Sequence, residues 1–220
     1  MKQLNQLITA AMLCLVSPTT SHAQTFHIGP SANWLHNMPS GQDANDGFSA
    51  GAIAEMNFAN NKSGWFVDAG IMFEKKKWDS NTYLYYDYNA AGQQAPSNTW
   101  HYTTYGIKIP VNIGYKLWMS KTVKIYAAAG PYLSIGIAGK ERLTTNIANG
   151  LTTDKVSSGN VYKDGIVNRT EWGLGVKMGA ELLGNYHVTL SYDHAMSNIF
   201  KRQYMDAKSR TLSIGIGYLF

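Results

Sequence analysis

Apolar and polar residues alternate with period two along most of the chain beyond residue 24. Leu212, Ile214, Ile216, Tyr218 and Phe220 share one face, and Thr211, Ser213, Gly215 and Gly217 share the other, which is the repeat of a β-strand. From Tyr105 to Leu117 the apolar face carries Tyr105, Ile107, Ile109, Val111, Ile113, Tyr115 and Leu117. Gly106, Lys108, Pro110, Asn112, Gly114 and Lys116 lie opposite. A long apolar face set against Lys, Asn and Gly suits a strand with lipid outside and a polar lumen inside. The alternation predicts eight strands, over 25–35, 47–58, 64–76, 101–117, 122–140, 169–183, 186–196 and 208–220. Several exceed the about five or six residues of a soluble strand and reach the ~9–11 that a tilted membrane strand needs.

The connections alternate in length. Segments 36–46, 77–100, 141–168 and 197–207 are long, whereas 59–63, 118–121 and a Gly184-Asn185 hairpin turn are short. Short periplasmic turns facing long extracellular loops are the pattern of outer-membrane barrels. The predicted fold is therefore all-β: an eight-stranded antiparallel transmembrane β-barrel with short periplasmic turns and long extracellular loops, both termini in the periplasm. The Trp residues fall at strand ends, Trp65 and Trp118 by short turns, Trp34, Trp78, Trp100 and Trp172 by long loops. They are expected as two interfacial belts, where an amphipathic ring is favoured. Pro30, Pro110 and Pro131 interrupt strand patterns; each removes a ladder donor, so local bulges are expected there.

With the apolar face outside, Glu55, Asp68, Glu74, Lys108, Lys116, Lys124, Lys140, Lys177, Glu181 and Asp193 point inward. An eight-stranded barrel is just wide enough for side chains to fill, and unpaired buried charge is costly. A mutually paired charge network that plugs the lumen is one reading, and a narrow path for solutes or protons is the other.

Composition agrees with this picture. Charged residues are 15% and aromatics 12% of the 220 residues, unlike a disordered chain. No segment beyond the N-terminal region has the about 18 consecutive apolar residues of a membrane helix. Lys2, the apolar run 7–16 and Ser21-His22-Ala23 read as a signal peptide over 1–23, with the barrel domain over 24–220. Its removal takes away Cys14, the sole cysteine, so disulfides and Cys-ligated metals are excluded from the domain. No cofactor or metal is expected, and the formal charge of +5 comes without a nucleic-acid motif.

Candidate chemistry is sparse. His36, Ser40 and Asp43 supply the residue types of a lipid hydrolase, but proximity in sequence does not supply geometry, and no enzyme is expected. Asp43-Ala44-Asn45-Asp46-Gly47 resembles half of a calcium loop without its bidentate Glu. Tyr83, Tyr85, Tyr86 and Tyr88 cluster in the second long loop. They are a candidate binding surface, or an extension of the flanking strands held by cross-strand aromatic pairs.

Several stretches, in order, resemble the bacterial outer membrane protein β-barrel domain family, the porin-family small barrels. They are Ile107-Lys108-Ile109-Pro110-Val111-Asn112, Ala129-Gly130-Pro131-Tyr132-Leu133-Ser134, 173–182, 190–194, 197–199 and 209–220. The resemblance implies the fold and a bacterial outer-membrane location, and that Pro110 and Pro131 belong to the fold. Tyr218 and Phe220 look like the C-terminal signal read by the barrel-insertion machinery; Phe220 also suits an interfacial aromatic. The family has no single activity, so function rests on sites. The expectation is a monomeric, non-enzymatic barrel in contact with outer-membrane lipids. It would have a structural role or bind an unidentified extracellular ligand through the loops 77–100 and 141–168. The alternatives are a narrow passive channel and an envelope assembly or secretion accessory.

Overall fold

The computed structural model describes residues 25–58, 63–80, 83–84, 97–147, 151–156, 160–201 and 207–220. Among the described residues ten strands form: β1 (Thr25–Asn37), β2 (Gln42–Asn57), β3 (Gly64–Ser80), β4 (Tyr83–Leu84), β5 (Ser97–Ser120), β6 (Val123–Ile147), β7 (Leu151–Val156), β8 (Thr170–Leu182), β9 (Tyr186–Asn198) and β10 (Lys208–Tyr218). Eight of them close a ring of antiparallel neighbours in the order β1-β2-β3-β5-β6-β8-β9-β10, with β10 returning to β1. The two short strands extend the wall: β4 pairs with Ser97 and Asn98 of β5, and β7 with 142–147 of β6. The fold is the eight-stranded barrel that the alternation predicts.

The strands outrun their predicted spans on the long-loop side. β5 has 24 residues and β6 has 25, more than twice the ~9–11 that cross the membrane. Outside the bilayer both faces of a strand meet water or polar neighbours, so the hydrophobic alternation fades while the backbone ladder continues. The Gly184-Asn185 turn is also one residue longer than read: Leu182 pairs with Tyr186, leaving Leu183, Gly184 and Asn185 as the link. Leu183 (φ 55°) and Gly184 (φ 82°) both adopt left-handed backbone there.

The prolines do not make bulges. The β3–β5 ladder skips the rungs at Pro110 and resumes at Met72↔Lys108 in the same register. The β5–β6 ladder likewise skips from Pro110↔Tyr132 to Ile113↔Ala129 with no shift. A ring strand has two neighbours, so a missing donor interrupts one ladder while the other holds position. The register shifts lie elsewhere, between Ala44 and Phe48 in β2–β3, between Tyr105 and Gly106 and between Trp118 and Ser120 in β5–β6, and between Lys208 and Arg210 in β9–β10.

The Tyr105/Gly106 shift is an extra residue on β6. Gly106 faces Gly136 and Tyr105 faces Ala138, leaving Ile137 unpaired with β5. One inserted residue exchanges the two faces of the strand beyond it. Lys140, expected in the lumen, is therefore exposed, while Gly139 is buried.

Outward positions carry the large exposed hydrophobics, among them Ile71, Ile113, Val176, Met178 and Ile216. The seam closes at the C-terminus, where Phe220 and Ile28 exchange backbone hydrogen bonds of 3.1 and 3.2 Å. Tyr218 packs edge-on against Tyr186 at 5.0 Å and lies beside Phe220.

Candidate functional site

The lumen is filled from the short-turn end upward. Near that end β2, β5, β6 and β8 project Glu55, Lys116, Lys124 and Glu181. Lys116 pairs with Glu55 and, at 2.7 Å, with Glu181, which also accepts from Lys124 at 2.7 Å. Lys116 and Glu181 are each 4% exposed, so the pairing is desolvated. The Lys116 ammonium also lies 5.1 Å from the Phe66 ring, and Phe66 meets Tyr126 edge-on. The Tyr126 hydroxyl is 2.6 Å from Thr189 Oγ1, and its ring lies 5.7 Å from that of buried His187.

Further along, Lys177 lies 2.7 Å from Asp68 Oδ2, while Asn112 donates to Asp68 Oδ1 at 2.8 Å. Above these, Lys108 bonds Asp193 and stands 3.9 Å from Glu74. Lys76 then joins Glu74 at 3.5 Å to Glu171 at 2.8 Å, and Tyr132 donates to Glu171 at 3.1 Å. Nine of the ten charges expected in the lumen, Glu55, Asp68, Glu74, Lys108, Lys116, Lys124, Lys177, Glu181 and Asp193, thus lie in ion pairs with one another or with Lys76, and among the described residues Lys140 does not. Lys76 and Glu171 were missed, although strand parity marks both: Lys76 stands two positions after Glu74, and Glu171 six before Lys177.

An apolar cap covers the charges at the long-loop end. Trp78, Tyr102, Val161, Val167, Ile199, Phe200 and Ala207 form one buried cluster, with Trp100, Tyr162 and Ile166 packed against it. Residues 160–168 cross the mouth. Val161 donates to Gly139 O at 3.2 Å and Asn168 to Ile199 O at 2.7 Å, and Val167 bridges Phe200. Between the cap and the Lys76 pair lies a cavity of about 40 Å³, room for a few waters at most.

The cap corrects two tryptophans. Trp78 is 4% exposed and stacks on Tyr102 at 5.6 Å, and Trp100 packs on the same cluster, so neither faces lipid. Both share the inward parity of their strands, which continue past the bilayer. Trp34, Trp65 and Trp172 are on the outer wall, with Trp65 edge-on to Tyr115 at 5.4 Å. Trp118 has the inward parity of Lys116 and sits at the short-turn mouth, its ring 5.6 Å from the Lys124 ammonium.

His36 and Ser40 are held by other partners. His36 Nδ1 is 2.7 Å from Asp46, and Ser40 exchanges hydrogen bonds with the Lys208 backbone at 2.8 and 3.2 Å. Asp43 and the half calcium loop are part of β2, and among the described residues no three His, Cys, Asp or Glu side chains converge as a metal site. Tyr83 belongs to β4 and pairs in register with Asn98; Tyr85, Tyr86 and Tyr88 lie outside the described residues.

Above the apolar band, the outer faces of β3, β5 and β6 form an open groove of about 400 Å³ bordered by Lys75, Lys77, Tyr105, Lys140 and Arg142. Glu141 also borders it from the intervening, inward position of β6, where burial and the nearby Asp164 push its carboxyl above the usual range.

No curated protein matches the sequence. Among solved structures, Neisserial surface protein A is similar over 90% of this chain and 100% of its own, at 19% identity and a TM-score of 0.43. The attachment invasion locus protein Ail of Yersinia pestis is similar over 91% and 100%, at 15% identity and a TM-score of 0.39. The N-terminal β-barrel domain of Pseudomonas aeruginosa OprF is similar over 87% and 97%, at 10% identity and a TM-score of 0.34. A family model described as outer membrane protein beta-barrel domain matches residues 22–201. With most of its length covered by that model, the chain belongs to the outer membrane protein beta-barrel domain family.

Proposed function

We propose that the protein is a closed, non-enzymatic barrel that does its work through the wall it raises above the outer membrane. The observation that carries this reading is the filled lumen. A ladder of ion pairs from Lys116 to Lys76 occupies the bore, and the Trp78–Phe200 cluster covers it. The long β5 and β6, widened by β4 and β7, supply a stiff extracellular sheet. A sheet of that kind positions side chains better than a free loop does. The test is single-channel conductance of the folded protein in a planar bilayer. Absence of steady current is expected. Discrete steps that vanish when Lys108 or Lys116 is neutralised would instead make the protein a narrow channel.

A further inference from the structure

The outer face of β3–β5–β6 changes character between two neighbouring rungs. Phe73, Ile107 and Ile135 form one outward row, and Phe73 and Ile135 are each 41% exposed. The next row is Lys75, Tyr105 and Ala138, then Lys77, Thr103 and Lys140, then Asp79, His101 and Arg142. Four cations therefore sit within three rungs, directly above a lipid-facing apolar surface. The Lys75 ammonium lies 5.7 Å from the Tyr105 ring and 6.0 Å from the Phe48 ring, which keeps its stem on the apolar wall and its charge at the boundary. Asp79, the outward carboxylate that borders the groove, is already engaged, taking His101 Nδ1 at 2.7 Å and Asn45 Nδ2 at 3.1 Å, and Asp43 stands opposite it on β2. Lys75, Lys77 and Lys140 have no carboxylate within 4.0 Å among the described residues.

We infer that this groove binds the phosphorylated headgroup of an outer-leaflet lipid, whose acyl chains lie along Phe73, Ile107 and Ile135. The arrangement selects an anchored ligand over a soluble one because the cations stand at the edge of the apolar band, where headgroups lie. The Ile137 bulge makes the site, since it brings Lys140 and Arg142 to the outer face beside Lys75 and Lys77. The inference rests on the wall alone, so a conducting lumen would overturn the closed-barrel reading and leave this one standing.

The test is native mass spectrometry of the folded full-length barrel in a neutral detergent, titrated with bis-phosphorylated lipid A. Retained lipid adducts are expected for the unaltered protein. A cation near an anionic lipid surface contributes about fivefold in affinity, so Lys77→Gln with Lys140→Gln should weaken binding about 25-fold. Lys77→Arg with Lys140→Arg should restore it, with heat-modifiable gel migration unchanged in both. Lys121→Gln, a single charge loss at the opposite short-turn end, should leave binding as it was. The inference is overturned by equal loss in Lys121→Gln, by equal binding of dephosphorylated lipid A, or by no effect of the double substitution. Displacement by millimolar inorganic phosphate would also overturn it, as a site for the free anion.

Discussion

Lys116→Met is the sharpest probe of the lumen, because this ammonium joins two carboxylates on two other strands. At an effective dielectric of about 20, unit charges separated as Lys116 and Glu181 are attract by about 6 kcal/mol. Much of that offsets desolvation, and the measurable quantity is the loss when one partner disappears, about 3–5 kcal/mol for a buried pair. The two acids are left in different positions. Glu181 keeps Lys124 at 2.7 Å, whereas among the described residues Glu55 keeps the Asn57 amide at 2.9 Å and no second cation. The cost of Lys116→Met should therefore concentrate on Glu55, and adding Glu55→Gln should recover stability rather than lose more. Lys124→Met should cost less than Lys116→Met, since its side chain is 22% exposed and Glu181 retains Lys116. The assay is urea unfolding in phospholipid vesicles followed by Trp fluorescence, with gel migration before and after heating as a check on folding. Lys116→Met within about 1 kcal/mol of the native protein, or a double variant less stable than the single, would refute a paired, desolvated core.

Two further substitutions address the cap. Trp78→Ala removes the ring that stacks on Tyr102 in the buried cluster and should destabilise the fold by about 3–5 kcal/mol, read in the same unfolding assay. A Cβ at Gly136 would collide with the Tyr162 ring, so Gly136→Val should push residues 160–168 off the mouth. At an overpacking cost of about 1–3 kcal/mol, the exposed Lys163 should be cut by trypsin faster, at a rate measured on barrels in vesicles.

Strand count, facing and most of the lumen charges were legible because lipid on one side and a polar bore on the other enforce a period of two. Glu55, Asp68, Lys116 and Glu181 stand out against the Ile, Val and Leu of the opposite face. The same signal fails above the bilayer, where solvent no longer imposes an apolar face. There β2, β3, β5 and β6 continue through stretches that read as loops. Trp78 shows why residue type misleads at that boundary. A Trp beside a long loop suits an interfacial belt, but its even-numbered position on β3 follows Asp68, Glu74 and Lys76 into the lumen. Residues 160–168 carry little period of their own, so their return over the mouth depends on partners more than 20 positions away, among them Gly139 and Ile199.

The insertion at Ile137 runs against the period of two, and it governs both ends of the functional reading. Without it, Lys140 and Arg142 would keep the inward parity of Tyr132 and Ser134 and enter the region of Trp78, Tyr102 and Val161. Two cations in an apolar cluster would be costly. With it, Gly139 faces Val161 instead. A Cβ there would press on Val161 Cγ2, so the absence of a side chain leaves room for the 160–168 segment to close the mouth. Lys140 emerges on the outer wall in register with Lys77 and Thr103, and Arg142 in register with Asp79 and His101. Lumen closure and the cationic groove are thus two faces of one backbone irregularity. A change that restored the regular ladder would turn Lys140 and Arg142 toward the cap and remove them from the membrane boundary in the same step.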